Sequence, residues 1–165
     1  MNLSIAIITV SDRASQGVYE DKSGPAAREA LAELLRDHQV GFELRIVPDE
    51  PSMLQDILNE FVQKRFDFIF TTGGTGIGPR DITPEATRNV IDKEIPGICE
   101  AMRAYSMAIT RNAMLSRATS GIAGTTLIVN LPGSPKAVKE IVSCLGETLE
   151  HAWHMLRGDD VHSHQ

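Results

Sequence analysis

Four segments of the chain bring together residue types that can do chemistry on an anion. The densest is Thr71-Thr72-Gly73-Gly74-Thr75-Gly76-Ile77-Gly78-Pro79-Arg80-Asp81. Glycines at 73, 74, 76 and 78 remove side-chain bulk and permit φ > 0, so successive backbone N–H groups can converge on one point. Thr72 and Thr75 add hydroxyl donors. This is chemistry for holding phosphate oxygens, yet neither standard phosphate motif is met. No lysine follows the glycines, as a Walker loop requires, and the last glycine of a dinucleotide fingerprint falls on Pro79 or Asp81. The plainer alternative is a glycine-rich turn that serves packing alone, but the glycines here exceed what one turn needs.

The second feature is a pair of carboxylates, Asp49 and Asp81. Asp49 follows the apolar run ending at Val47, and Asp81 closes the glycine segment. If those two runs are adjacent parallel strands, both acids reach one crevice. A carboxylate ~5 Å from a phosphate charge is repelled by about 3 kcal/mol at an effective dielectric of ~20. Acids beside a phosphate cradle therefore suggest Mg²⁺ between them, with Asp49 and Asp81 as its ligands. The competing reading is that each caps a helix, since Asp49 precedes Pro51 and Asp81 precedes Pro84.

The third segment, Ser11-Asp12-Arg13-Ala14-Ser15-Gln16-Gly17-Val18-Tyr19-Glu20-Asp21, reads as a polar loop, long for an α/β connection. It faces either a substrate or solvent. The fourth, Asn130-Leu131-Pro132-Gly133-Ser134-Pro135-Lys136, places a turn and the hydroxyl of Ser134 at a helix start. That suits an anion, or merely an ordinary cap.

The elements that must position these segments are legible in the hydrophobic pattern. Leu3–Val10, Phe42–Val47 and Phe66–Thr72 read as strands, the first a buried parallel one. Residues 116–122 and 125–131 read as two shorter strands, with Ala123-Gly124 as a hairpin turn. Helices are expected from Pro25, from Pro51 with the stripe Leu54, Ile57, Leu58, Phe61 and Val62, from Pro84, across Pro96–Met107, and from Pro135. The last is expected as one helix, carrying Val138, Ile141, Val142, Leu145, Leu149 and Trp153 on its buried side. Strands alternating with helices predict an α/β fold, three layers α/β/α around a mostly parallel central sheet. In such a fold ligands sit at the carboxyl ends of the strands, which is where all four segments fall.

Composition narrows the function classes. The 165 residues carry 22 acidic and 16 basic side chains, a formal charge of −6, which argues against nucleic acid as a partner. Aromatics at 5% argue against a base-stacking platform. The first apolar run is too short to span a membrane and lacks the flanks of a signal peptide, so a cytoplasmic protein is expected. Cys99 and Cys144 form no metal or disulfide pattern and read as buried thiols. His38, His151, His154, His162 and His164 form no ligand set, although the two tail histidines could bind metal adventitiously. One domain over residues 1–157 and a polar tail over 158–165 are expected.

Taken together, Thr72-Gly73-Gly74-Thr75-Gly76, Pro79-Arg80-Asp81 and Thr83-Pro84-Glu85-Ala86 resemble the molybdopterin-binding domain family of molybdenum cofactor biosynthesis. Ser11 to Tyr19 is similar to the start of its adenylyltransferase members. Pro96-Gly97 to Arg103, Leu115-Ser116-Arg117 and Asn130 to Pro135 continue the likeness in order, from Ile5 to about Leu156. The resemblance implies transfer of AMP from ATP to the terminal phosphate of molybdopterin, releasing pyrophosphate. It implies Asp49 and Asp81 as essential aspartates with Mg²⁺. It implies nucleotide phosphates on Gly73 to Gly76, with Ser11, Thr72, Thr75, Ser116, Pro132, Gly133 and Ser134 as further contacts. It also implies a homotrimer or hexamer, its interface an apolar patch after the Pro96 region, and handover of product to a molybdate-inserting protein. The alternative within the family is a paralogue that binds or carries molybdopterin without adenylating it. A dinucleotide oxidoreductase, the alternative at the level of fold, is opposed by the failed fingerprint.

Overall fold

Successive side chains of the first strand, β1 (Asn2–Val10), pass to opposite faces of the sheet, and both faces are covered. Ile5 and Ile7 enter one core, and Ala6, Ile8 and Val10 enter the other. This is why the strand reads as an unbroken apolar run rather than an alternating one. The computed structural model describes residues 1–159. The remaining elements follow in the order α1 (Asp12–Ser15), α2 (Ser23–Leu34), β2 (Gln39–Val47), α3 (Pro51–Gln63), β3 (Phe68–Thr72), α4 (Thr83–Arg88), β4 (Lys93–Glu94) and α5 (Pro96–Met107). A 3-10 turn at Arg111–Leu115 leads to β5 (Ser120–Ala123), β6 (Thr126–Leu131), α6 (Pro135–Leu145) and α7 (Thr148–Arg157).

The six strands lie in the order β2-β1-β3-β6-β5-β4. The first four run parallel; β5 pairs antiparallel with β6, and β4 antiparallel with β5, at one edge. The chain goes from β1 outward to β2, then returns across to place β3 on the other side of β1. The strand order therefore reverses at β1/β3, and the crevice beyond the carboxyl ends of that pair is where α/β folds bind ligands. Helices α2, α5, α6 and α7 cover one face through Leu31, Met102, Val138 and Leu149, and α3 and α4 cover the other through Leu54, Leu58, Phe61 and Ala86. The expected three-layer α/β/α class is the observed one.

Several local expectations are corrected. Asp49 and Asp81 do not follow adjacent strands, because β1 lies between β2 and β3. The Ser11–Gly24 segment is not all loop: the Ser11 hydroxyl accepts from Ala14 N–H at 3.2 Å and opens the single-turn helix α1. The hairpin turn is Gly124-Thr125 rather than Ala123-Gly124, since Ala123 pairs with Thr126. The final helix is two, broken at Gly146, and Leu149 and Trp153 of α7 still reach the first core. Short β4 was not anticipated, for two exposed charged residues carry no strand pattern. Of the thiols, Cys99 is buried and Cys144 only partly so. Gly158 and Asp159 close α7, while the rest of the expected tail, with His162 and His164, lies outside the described residues.

Candidate functional site

The carboxyl ends of β1, β2, β3 and β6 deliver Ser11, Asp49, Gly73 and Pro132 to the same end of the sheet. The glycine loop is the centre of that arrangement. Gly73 has φ +93° and Gly74 φ +64°, and a Cβ at Gly73 would meet the Val10 carbonyl oxygen at 2.6 Å. A Cβ at Gly74 would meet Thr83 Oγ1 at 2.4 Å and lie 3.5 Å from Asp49 Oδ1. These two residues are therefore glycine because both the backbone conformation and its neighbours require it. Gly133 lies on the other side, where a Cβ would come within 3.3 Å of Gly73 Cα.

The glycine loop and the Pro132-Gly133 turn form the wall between two cavities. One, about 150 Å³, is lined by Ser11, Tyr19, Asp21, Ser23, Thr72 and Gly73 among others. The second, about 290 Å³, is lined by Thr75, Gly76, Met102, Arg103, Ser116 and Pro132 among others. A wider open groove of about 870 Å³ runs between α2 and β2, but none of the strand-end residues lines it. Of the sequence-derived residues, Ser11, Thr72, Gly73 and Gly133 line the smallest of these cavities and Thr75, Gly76, Ser116 and Pro132 the second, whereas Asp49, Gly74, Asp81 and Ser134 line neither. Within the described residues, the N–H groups of Gly74, Thr75, Gly76 and Ile77 make no hydrogen bond. Such a run of free amides is a local concentration of positive dipole, suited to an anion.

Some expected donors are already engaged. Thr72 is buried and its hydroxyl lies 2.6 Å from that of Ser23. Ser11 and Ser134 spend their side-chain oxygens on capping α1 and α6. Asp21 ties the smaller cavity together, accepting from the Thr9 hydroxyl at 2.7 Å and from the Ser23 and Gly24 N–H groups.

The carboxylates do not cap helices. Residues Glu50 and Ile82 occupy the starts of α3 and α4, without side-chain caps. Asp81 Oδ2 instead accepts from Gly78 N–H at 2.7 Å, folding the loop back on itself. Asp49 Oδ2 accepts from Asp12 N–H at 2.8 Å, and Asp12 Oδ1 accepts in return from Asp49 N–H at 2.9 Å. Arg80 grips Asp12 through Nε and Nη2 at 2.8 to 3.1 Å and touches Glu50 at 3.2 Å. Burial pushes the Asp49 carboxyl above its ordinary range; the Asp12 N–H and Arg80 counteract this, and the charges of Asp12 and Asp81 add to it. Asp12 is held below its ordinary range by the Asp49 N–H and by Arg80. Oδ1 of Asp49 and Oδ1 of Asp81 make no hydrogen bond within the described residues. Two free carboxylate oxygens at a locus of accumulated negative charge fit a hard divalent cation. Among the described residues no group of three or more His, Cys, Asp and Glu is assembled for a metal. A cation there would thus take its other ligands from phosphate or water.

Arg80, Asp12, Thr83 and Arg117 were not singled out as site residues by the sequence. All four lie within the motifs that carry the family resemblance, yet no role was attached to any of them.

A doubly wound α/β protein with a run of unpartnered amides at its topological switch point is the class that this geometry defines. Residues 6–151 match the model of a family described as "Probable molybdopterin binding domain", and the chain belongs to that family. It is 40% identical to the molybdopterin adenylyltransferase of Helicobacter pylori (strain J99) over 158 residues, covering 95% of this chain and 89% of that protein. It is 43% identical to the molybdenum cofactor synthesis protein cinnamon of Drosophila melanogaster, over 97% of this chain but only 26% of that protein. The chain thus spans about a quarter of the length of this second relative. The solved structure of the molybdopterin biosynthesis enzyme MoaB from Thermus thermophilus superposes with a TM-score of 0.86 at 41% identity, over 95% of this chain and 98% of that one.

Proposed function

We propose that this chain is a molybdopterin adenylyltransferase, which moves AMP from ATP onto the terminal phosphate of molybdopterin and releases pyrophosphate. The observation that carries the reading is the run of unpartnered amides at Gly74–Ile77 set against the free carboxylate oxygens of Asp49 and Asp81. The relatives named above support the same activity.

The nucleophile is a phosphate oxygen, already anionic at neutral pH. It forms the new bond to the α-phosphorus as the bond to the β-phosphate oxygen breaks, and the electron pair leaves with pyrophosphate. No base is needed, which matches a site without a His or Cys dyad. The difficulty is repulsion between anions and charge build-up on the leaving group, so catalysis comes from positioning and electrostatics. In this reading Gly73, Gly74, Thr75 and Gly76 hold nucleotide phosphates. Asp49 and Asp81 hold Mg²⁺, which would supply charge to offset that of the phosphates. Ser116, Pro132 and Gly133 line the walls against which the two substrates meet. Ser11, Ser134 and Thr72 shape those walls through their caps and hydrogen bonds.

The same reading includes a single domain over residues 1–157 and a homotrimer or hexamer in the cytoplasm. Tyr105, Met107, Ile109, Met114 and Leu115 are exposed apolar side chains in and after α5, and they would contribute to the subunit interface. The product would pass to a molybdate-inserting protein. No helix of the described residues is long and apolar enough to cross a membrane.

The test is to mix the chain with molybdopterin, ATP and Mg²⁺ and to measure adenylated molybdopterin and pyrophosphate, with Asp81→Asn alongside. The native chain is expected to form both products. Asp81→Asn should keep the Gly78 hydrogen bond and the fold, yet lose about 10²-fold or more in turnover. Tight molybdopterin binding without product would instead establish the carrier reading.

A further inference from the structure

The free amides of the glycine loop have a mechanical cause on its outer side. In a trans peptide the carbonyl of one residue and the N–H of the next point in opposite directions. The four unpartnered N–H groups, Gly74 to Ile77, therefore belong to the peptides whose carbonyls are those of Gly73 to Gly76, and all four carbonyls are held. Thr83 holds the first two, through Oγ1 to Gly73 O at 2.9 Å and N–H to Gly74 O at 3.0 Å. Arg117 holds the next two, through its own N–H to Thr75 O at 2.9 Å and Nε to Gly76 O at 2.6 Å. Its Nη2 also donates to Asp81 O at 2.7 Å, and its Nη1 pairs with Glu85.

We infer that Arg117 is the positioning residue of the phosphate cradle, acting through its grip on the carbonyls of Thr75, Gly76 and Asp81. The guanidinium is a planar fork that can hold the Gly76 and Asp81 carbonyls at once. The loop is thereby closed from the back, and the same clamp fixes where the Asp81 side chain emerges. Arg117 itself does not touch the ligand. It is delivered by the segment that follows the Arg111–Leu115 turn, so a residue far along the chain sets the direction of amides that glycine alone would leave free. A lysine keeps the charge but has a single nitrogen and cannot span both carbonyls.

This inference rests on the reading that the loop holds nucleotide phosphates, and its test separates the two. Inorganic tripolyphosphate with Mg²⁺ is titrated into the native chain, Arg117→Lys and Arg117→Ala. Backbone amide shifts are followed by NMR, and thermal melting is recorded in parallel. The native chain should show shifts concentrated at Gly74, Thr75, Gly76 and Ile77. Arg117→Lys should bind about tenfold more weakly, the loss expected from removing one charge-assisted hydrogen bond, with melting close to native. Unchanged affinity in both variants would overturn the assignment. So would a loss accompanied by shifts throughout β1, β3 and β6, which would mark general loosening. Absence of tripolyphosphate binding by the native chain would overturn the cradle and the clamp together. If the anion binds and Arg117→Lys weakens it, but no molybdopterin is adenylated, the proposed activity falls while the role of Arg117 stands.

Discussion

Asp12 and Asp49 hold each other by crossed hydrogen bonds, each carboxylate accepting from the other's backbone N–H, at 2.8 and 2.9 Å. The pair staples the loop after β1 to the loop after β2. It also places two acids side by side, with Asp81 adding its charge to Asp49 and Arg80 supplying the nearest cation. Burial and the neighbouring acids oppose ionisation of Asp49 in the folded chain, while the Asp49 N–H and Arg80 favour that of Asp12.

Asp49→Asn is therefore expected to raise the melting temperature at pH 7 while abolishing most turnover, a trade of activity for stability. The Asn oxygen can still accept from Asp12 N–H. The sign follows from the raised carboxyl: the cost of ionising Asp49 in the folded chain is present above its folded pKa and is gone below its ordinary value of 3.8. The gain should accordingly vanish in melts near pH 3. Saturating Mg²⁺ with nucleotide should narrow the difference between the two proteins. A variant less stable than native at pH 7 would contradict the prediction.

Gly74→Val should fail in two ways at once. The residue has φ +64°, and the new Cβ would press on Thr83 Oγ1 at 2.4 Å, displacing the hydroxyl that holds Gly73 O. A cost of about 2 kcal/mol or more is expected from the backbone and the clash together. Mg-ATP affinity measured by calorimetry should fall with it. Retained affinity would remove the glycine loop from nucleotide binding.

Arg65→Gly should stabilise the chain. Arg65 is the one non-glycine residue at positive φ among those described, with φ 58°. It sits where α3 ends in a Schellman arrangement, with Arg65 N–H to Val62 O and Phe66 N–H to Phe61 O. The rings of Phe61 and Phe66 meet across it, with centroids 4.9 Å apart. Glycine at this place should add about 1 kcal/mol and raise melting by roughly 2–4 °C. Turnover should be unchanged, because the turn lies at the end of the sheet opposite the cradle.

Asp67 should give the fold an acid-sensitive latch. Burial tends to raise its carboxyl, but donors from Arg157, Ser4 and Trp153 outweigh this and hold it below the ordinary 3.8. Its contribution is thus present above about pH 3.8 and is lost as pH falls through the lower folded value. Asp67→Asn should melt lower than native at pH 7, and the difference should shrink as pH falls below 3.8. A constant difference across that range would show that the charge is not what docks α7.

Much of this was legible before any coordinates. Pro96–Met107 was legible as helical, though its ends were marked less cleanly than those of the other helices, and α5 spans those residues. β1 was recognisable as doubly buried because nearly every residue in it is apolar. The glycine segment was legible as a place where successive amides can be left free, because residue type alone limits what a backbone can do, and the N–H groups of Gly74 to Ile77 make no hydrogen bond within the described residues. Where residue type was ambiguous, reading along the chain misplaced things: a second apolar stripe concealed the break at Gly146, and a polar run concealed α1.

The sequence by itself therefore determined the layers, the glycine loop and the carboxylates beside it, all properties of local composition and spacing. Only the tertiary structure decided that β1 stands between β2 and β3, that Asp12 locks Asp49, that Arg80 reaches back to Asp12, and that Arg117 closes the loop from behind. Each of these joins residues from different strand-end loops, 36 to 68 positions apart for the contacts made by Arg117 and Arg80 with Asp81 and Asp12. Hydrogen bonds across such distances depend on strand order and crossover direction. These come from packing the whole chain against itself, and no single stretch of residues contains them.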